Sequence, residues 1–97
     1  MRKVESLDVT LNVHIGADVI DVTAEARDGA DGRVVAASRM AAEPGADVVA
    51  CAIVASANLA SSLAQRACVP GVDEDERDVL VSAALRAAGK IRPEGRR

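Results

Sequence analysis

Apolar and polar residues alternate through most of the first forty positions. Leu7, Val9, Leu11, Val13 and Ile15 are separated by Asp8, Thr10, Asn12 and His14, a period-2 pattern that predicts a half-buried strand. Ile20, Val22, Ala24 and Ala26 alternate in the same way with Asp21, Thr23, Glu25 and Arg27. Between the runs, Gly16-Ala17 suits a two-residue type II′ turn flanked by Ile15 and Asp18. That register opposes Val13 to Ile20, Leu11 to Val22, Val9 to Ala24 and Leu7 to Ala26. A third run follows the turn-rich connector Asp28-Gly29-Ala30-Asp31-Gly32, of the length hairpins use. Pairing Arg27 with Arg33 then sets Ala26 against Val34, Ala24 against Ala36, Val22 against Ser38 and Ile20 against Met40. The prediction is a three-stranded antiparallel meander over about 5–15, 18–27 and 33–42, with one apolar and one mostly polar face.

The pattern then changes period. Glu43-Pro44-Gly45 ends the third run, Asp47 can cap a helix over about 46–67, and Val69-Pro70-Gly71 stops it. At 100° per residue Val48, Ala52, Leu59 and Leu63 share a face with Val49, Ile53, Ala60 and Ala64, the side expected to meet the sheet. A second helix is expected over about 73–90. Asp73 and Glu76 resemble a capping box at its start, and Arg86, Gly89, Lys90 and Pro93 close it. Its apolar arc runs through Leu80, Ala84, Ala88 and Ile91, with Val81 and Leu85 beside it. The fold class is therefore α+β, a single domain over about 1–92 with both helices on one sheet face and a disordered basic tail at 93–97. Three strands give room for one helix and little more, so the second helix is expected on the first helix or on a neighbouring subunit.

Composition adds three constraints. The 97 residues are 49% hydrophobic with a formal charge of −3, which excludes a disordered class for the bulk of the chain. Phe, Tyr and Trp are absent, so Ala, Val and Leu must build the core, and self-association would add the area that aromatic side chains usually supply. No apolar h-region follows Met1-Arg2-Lys3-Val4-Glu5; no signal peptide is expected, and the cytoplasm is the default compartment. Ala46 to Ala64 approaches a membrane span in hydropathy, but Asp47, Ser56, Asn58, Ser61 and Ser62 interrupt it, and it reads as a soluble core helix.

Candidate chemistry is sparse. His14, the single histidine, joins Asn12, Asp21 and Arg39 in a polar cluster on the outer sheet face, with Asp21 and Arg39 directly opposed. Catalysis there would need a nucleophile or a pocket beside the imidazole, and a flat face supplies neither, so a cross-strand ion pair is the expected role. Cys51 and Cys68 would lie about 25 Å apart on one helix, too far for a disulfide, and lack the spacing of a zinc site. Cys51 reads as a small core residue and Cys68 as a more reactive thiol at a helix end. Lys90, Arg92, Arg96 and Arg97, with Arg2 and Lys3 at the other end, are candidate phosphate contacts, although no aromatic residue is present to stack on bases. The acidic run Asp73 to Asp78 lacks the glycine and spacing of a calcium loop. No cofactor or metal is implied.

The order β-β-β-α, the Thr-Ala-Glu-Ala-Arg of Thr23 to Arg27, the valines of the third run, Pro44 and the Ala-Asn-Leu-Ala-Ser-Ser-Leu-Ala of Ala57 to Ala64 together resemble a group of small actinobacterial proteins of unknown function. Their fold is similar to the double-stranded-RNA-binding domain, and the likeness spans about residues 7–66. It implies a fold and no activity. The acidic Gly-Asp-Glu-Leu helix start associated with that group is absent. So are the helix that precedes the first strand of a true double-stranded-RNA-binding domain and the lysine cluster that grips phosphate, and Gly45-Ala46-Asp47 stands where that cluster would be.

The expectation from sequence is a non-catalytic interaction or regulatory protein that forms a homodimer or binds another protein. The edge of the third strand (Val35, Ala37, Ala41, guarded by Arg33 and Arg39) and the second helix (Leu80, Leu85) are the candidate interfaces. The alternatives are a nucleic-acid-associated protein using its basic termini and a small enzyme using His14.

Overall fold

The computed structural model describes residues 4–89, in the order β1 (Leu7–Ile15), β2 (Ile20–Asp28), β3 (Val34–Ala42), α1 (Val48–Ala67) and α2 (Glu74–Ala88). The strands form one antiparallel sheet in the order β1-β2-β3, and both helices pack on a single face. This is the expected α+β architecture. The basic tail and Ile91 lie outside the described residues.

Face assignment in β1 and β2 follows the predicted parity, while register does not. β1 pairs with β2 as Ile15↔Ile20, Val13↔Val22, Leu11↔Ala24, Val9↔Ala26 and Leu7↔Asp28, two residues away from the predicted pairing. The loop is Gly16 to Val19, closed by a hydrogen bond from the Gly16 N–H to the Val19 carbonyl (2.9 Å). A type II′ turn would need positive φ at Gly16, and the positive-φ glycines are instead Gly32, Gly45 and Gly71. The longer loop also opposes Ile15 to Ile20 rather than to Asp18, an apolar pair the two-residue turn would forgo.

β2 and β3 are likewise displaced, pairing as Ile20↔Ala42, Val22↔Met40, Ala24↔Ser38, Ala26↔Ala36 and Arg27↔Val34, with a bulge between Ala26 and Arg27 on the β2 side. Val35 is the extra residue of the bulge. It packs against the core while Val34, the predicted inward residue, is exposed. Asp28 anchors the connector. It is 2% exposed, its Oδ1 accepts from the Ala30 N–H (2.8 Å), and its Oδ2 lies 3.6 Å from an Arg33 guanidinium nitrogen.

Two turns with one design set the helices. In Glu43-Pro44-Gly45-Ala46 and Val69-Pro70-Gly71-Val72 the fourth N–H bonds the first carbonyl (3.1 and 3.3 Å). Proline supplies the second position, and glycine the positive φ of the third (95° and 89°), as type II turns require. Asp47 then caps α1, accepting from the Val49 and Ala50 N–H groups, and Asp73 caps α2 through those of Asp75 and Glu76. The capping box is only half made. Glu76 turns away from its own helix start, and its Oε2 accepts a hydrogen bond from the Val4 N–H (3.1 Å), tying the chain before β1 to α2.

α1 lies over β2 and β3, while α2 packs beside α1 and reaches β1. The sheet thus has room for parts of both helices. The buried side of α1 comprises Cys51, Ala52, Ala55, Ser56, Leu59, Leu63 and Ala67, rotated from the predicted face, so Val49, Ile53 and Ala64 are exposed. Small residues take the contact because Ala24 and Ala26, both fully buried, let the helix approach the sheet closely. α2 follows the same logic, burying the predicted Leu80 and Ala84 together with Ala83 and Ala87, while Val81, Leu85 and Ala88 of the predicted arc are exposed. At about 1.5 Å per residue α2 is shorter than the strands, and exposure along the inner side of β1 rises from 5% at Leu7 to 66% at Ile15. By length and composition α1 is long and apolar enough to cross a membrane; here its sheet-facing side is buried in the fold.

Candidate functional site

On the outer face the ladder sets His14 opposite Asp21, and Asn12 opposite Thr23, which in turn faces Arg39. The predicted cluster is therefore assembled, with different neighbours. Arg39 reaches diagonally to Asp21, its Nε and a terminal nitrogen each 2.9 Å from the same Asp21 Oδ1. The arginine is largely exposed, so the pair contributes at most about 1 kcal/mol. His14 is exposed near Gly16, where an added Cβ would stand 3.5 Å from its Nε2. Among the described residues no serine, threonine or cysteine is hydrogen-bonded to the imidazole, and three clefts of the fold are lined by other residues. The cluster is a solvated cross-strand arrangement.

The main chain of β3 offers more. Asp28 donates its N–H to the Arg33 carbonyl and accepts from Gly32 (both 2.8 Å), so its backbone faces β3. Hydrogen-bonding direction alternates along an antiparallel ladder. Ala26, Ala24, Val22 and Ile20 therefore face β3 too, and their partners Ala36, Ser38, Met40 and Ala42 face back. The intervening Ala37, Arg39 and Ala41 direct N–H and C=O away from the sheet. Applied to β1, the same alternation turns Leu7 outward, and its carbonyl is taken by the Arg86 guanidinium at 2.7 Å. The two edges thus differ: β1 is partly capped by α2, and among the described residues nothing caps β3.

The candidate interface residues separate accordingly. Ala37 is exposed on the open edge, and Leu85 is 70% exposed on the outer side of α2. Val35 is drawn toward the core by the bulge, and Leu80, 3% exposed, belongs to the core itself. Neither can report on an interface when mutated. Lys90, Arg92, Arg96 and Arg97 lie outside the described residues. Both cysteines are free, Cys51 buried and Cys68 exposed at the α1 C-cap. Among the described residues no group of three His, Cys, Asp or Glu side chains is placed to hold a metal ion.

Sequence reasoning missed Arg86, read only as a helix-end charge, because its partner lies 79 residues away. It also missed the burial of Asp28, for which a turn position gave no signal. Compared with known proteins, the chain matches no family model, no curated protein and no solved structure.

Proposed function

We propose that this is a non-catalytic interaction protein that self-associates by antiparallel pairing of β3 with β3 of a second copy, giving a continuous six-stranded sheet. The observation that carries the reading is the open edge: among the described residues the outward backbone groups of Ala37, Arg39 and Ala41 have no partner, and two of these three residues carry only a methyl group. Ser38 is the midpoint of Val34–Ala42. A two-fold axis there opposes Ala37 of each copy to Arg39 of the other and keeps the two Arg39 side chains out of direct register, which favours it over an axis on Arg39. His14 lines none of the three clefts formed by the helices with the sheet and the chain before β1, and this favours the non-catalytic reading over the enzymatic alternative. The likeness to double-stranded-RNA-binding domains enters as a fold only, since Asp47 puts a carboxylate at the helix start where phosphate would sit. α1 is read as the core helix of a soluble cytoplasmic protein.

The test is Ala37→Pro. Proline at an edge position whose N–H points outward spares the β2 ladder but removes a donor needed for pairing. Sedimentation should show a wild-type dimer at micromolar concentration and a folded Ala37→Pro monomer. A wild-type protein that stays monomeric well above that concentration refutes the reading. If instead Leu85→Glu gives the monomer and Ala37→Pro the dimer, α2 is the interface.

A further inference from the structure

The turn that joins α1 to α2 forms one wall of a cleft of about 300 Å³, closed opposite by the chain before β1 and by the bulge of β3. Its lining is aliphatic: Val4 and Leu80, both buried, with Val35, Val69 and Val72. Two charged residues complete it, Arg66 from the last turn of α1 and Glu76 from α2. A second cleft, of about 380 Å³, shares Val35, Arg66 and Val69 and continues past Ser62 and Gln65. Arg66 stands where the two meet.

That arginine is an exception. Arg27 bonds Glu25 and the Gly32 carbonyl, Arg33 pairs with Asp28, Arg39 with Asp21, Arg77 with the carbonyls of Ala67 and Val72, and Arg86 with that of Leu7. Among the described residues the Arg66 guanidinium has neither an ion pair nor a hydrogen bond. Glu76 shares the cleft without pairing to it, because its carboxylate is engaged by the Val4 N–H. An unpaired planar cation above an aliphatic cavity is complementary to a carboxylate carried on a hydrocarbon chain: the fork matches two carboxylate oxygens, and the chain takes the place of water against the valines. The second charge decides between anions. Arg66 supplies one positive charge for one carboxylate, and Glu76 on the same cleft penalises any further negative charge, so a phosphate monoester, with a charge near −2, is disfavoured.

We propose that this cleft binds a short aliphatic monocarboxylate, with the carboxylate on Arg66 and the chain between Val4, Val72 and Leu80. The site does not rest on self-association. The probes are hexanoate, 1-hexanol and hexyl phosphate, titrated into the full chain at neutral pH and low salt and followed by two-dimensional NMR. Hexanoate should shift the signals of Val4, Val35, Val69 and Val72 and saturate in the millimolar range or below. Hexanol and hexyl phosphate should each bind about tenfold more weakly or worse. Arg66→Gln, at an exposed position, should weaken hexanoate by about the same factor, while Arg27→Gln on the far side of the sheet should leave it unchanged. Absence of saturable shifts at these valines, equal binding of hexanol, preference for hexyl phosphate, or equal effects of the two arginine variants would each overturn the assignment. A wild-type protein that stays monomeric yet binds hexanoate would refute the preceding proposal and leave this one standing.

Discussion

Ser56 is 4% exposed on the buried side of α1, and among the described residues its hydroxyl has no hydrogen-bond partner. Replacing it by alanine tests how this core is held together. A buried hydroxyl without a partner costs about 1–3 kcal/mol relative to its hydrated state in the unfolded chain. Alanine removes that cost and also gains roughly 0.5 kcal/mol in helix propensity. Against these stands the loss of one heavy atom's dispersion contacts, a few tenths of a kcal/mol at about 0.1–0.2 per contact. Ser56→Ala should therefore stabilise the fold by about 1–3 kcal/mol. For a domain of this size each kcal/mol raises the melting temperature by about 4–8 °C. The gain is large beside the roughly 5–15 kcal/mol typical of small domains. The chain contains no Trp, Tyr or Phe, so the assay is guanidinium unfolding followed by far-UV circular dichroism, with the slope of the transition required to stay constant. A midpoint that falls, or does not move, would refute the argument. It would mean that the hydroxyl is satisfied, most simply by the Ala52 carbonyl one turn back.

The remaining predictions concern the sheet and the thiols. Val22, fully buried at the sheet centre, should not tolerate Asp: Val22→Asp is expected to lose more than about 4 kcal/mol, whereas Thr23→Asp on the outer face should stay within about 1 kcal/mol. Similar denaturation midpoints for the two would show that the faces are inverted. Cys68 should react with a maleimide faster than Cys51 under native conditions. An intramolecular disulfide in the purified protein would contradict a continuous α1, which separates the two residues by about 25 Å.

Local signals carried far here. Alternation identified the faces of β1 and β2 because a two-residue displacement preserves parity, and Asp47 and Asp73 marked helix starts because a cap bonds only residues two or three positions on. What was illegible depends on distant partners. Turn length at Gly16 is settled by the conformation that glycine adopts and by the gain of opposing Ile15 to Ile20. Periodicity outlined an apolar arc on α2 but not its rotation: the larger Val81 and Leu85 look outward, and the alanines next to them allow close approach to α1. Glu76 carried the right spacing for a capping box, yet a main-chain donor 72 residues away claimed it. For the site, alternation placed Asn12, His14, Asp21 and Arg39 on one sheet face, where the ladder also holds them. It gave no hint that Arg66 would stand unpaired over an aliphatic cleft, since that follows from where the other arginines find partners.

The bulge at Val35 bears on how the length of this chain can vary. Removing that residue would join Val34 to Ala36, with Val34 still opposite Arg27 and Ala36 still opposite Ala26. The ladder would close without an extra residue, and every pair from Ala26 to Ile20 would keep its partner. The same is not true elsewhere in the sheet. A deletion inside Ala36–Ala42 would send the rest of β3 to the wrong face. β3 therefore carries one point at which the gene can lose a codon at the cost of a single valine's packing, so relatives differing there by one residue would share the sheet unchanged.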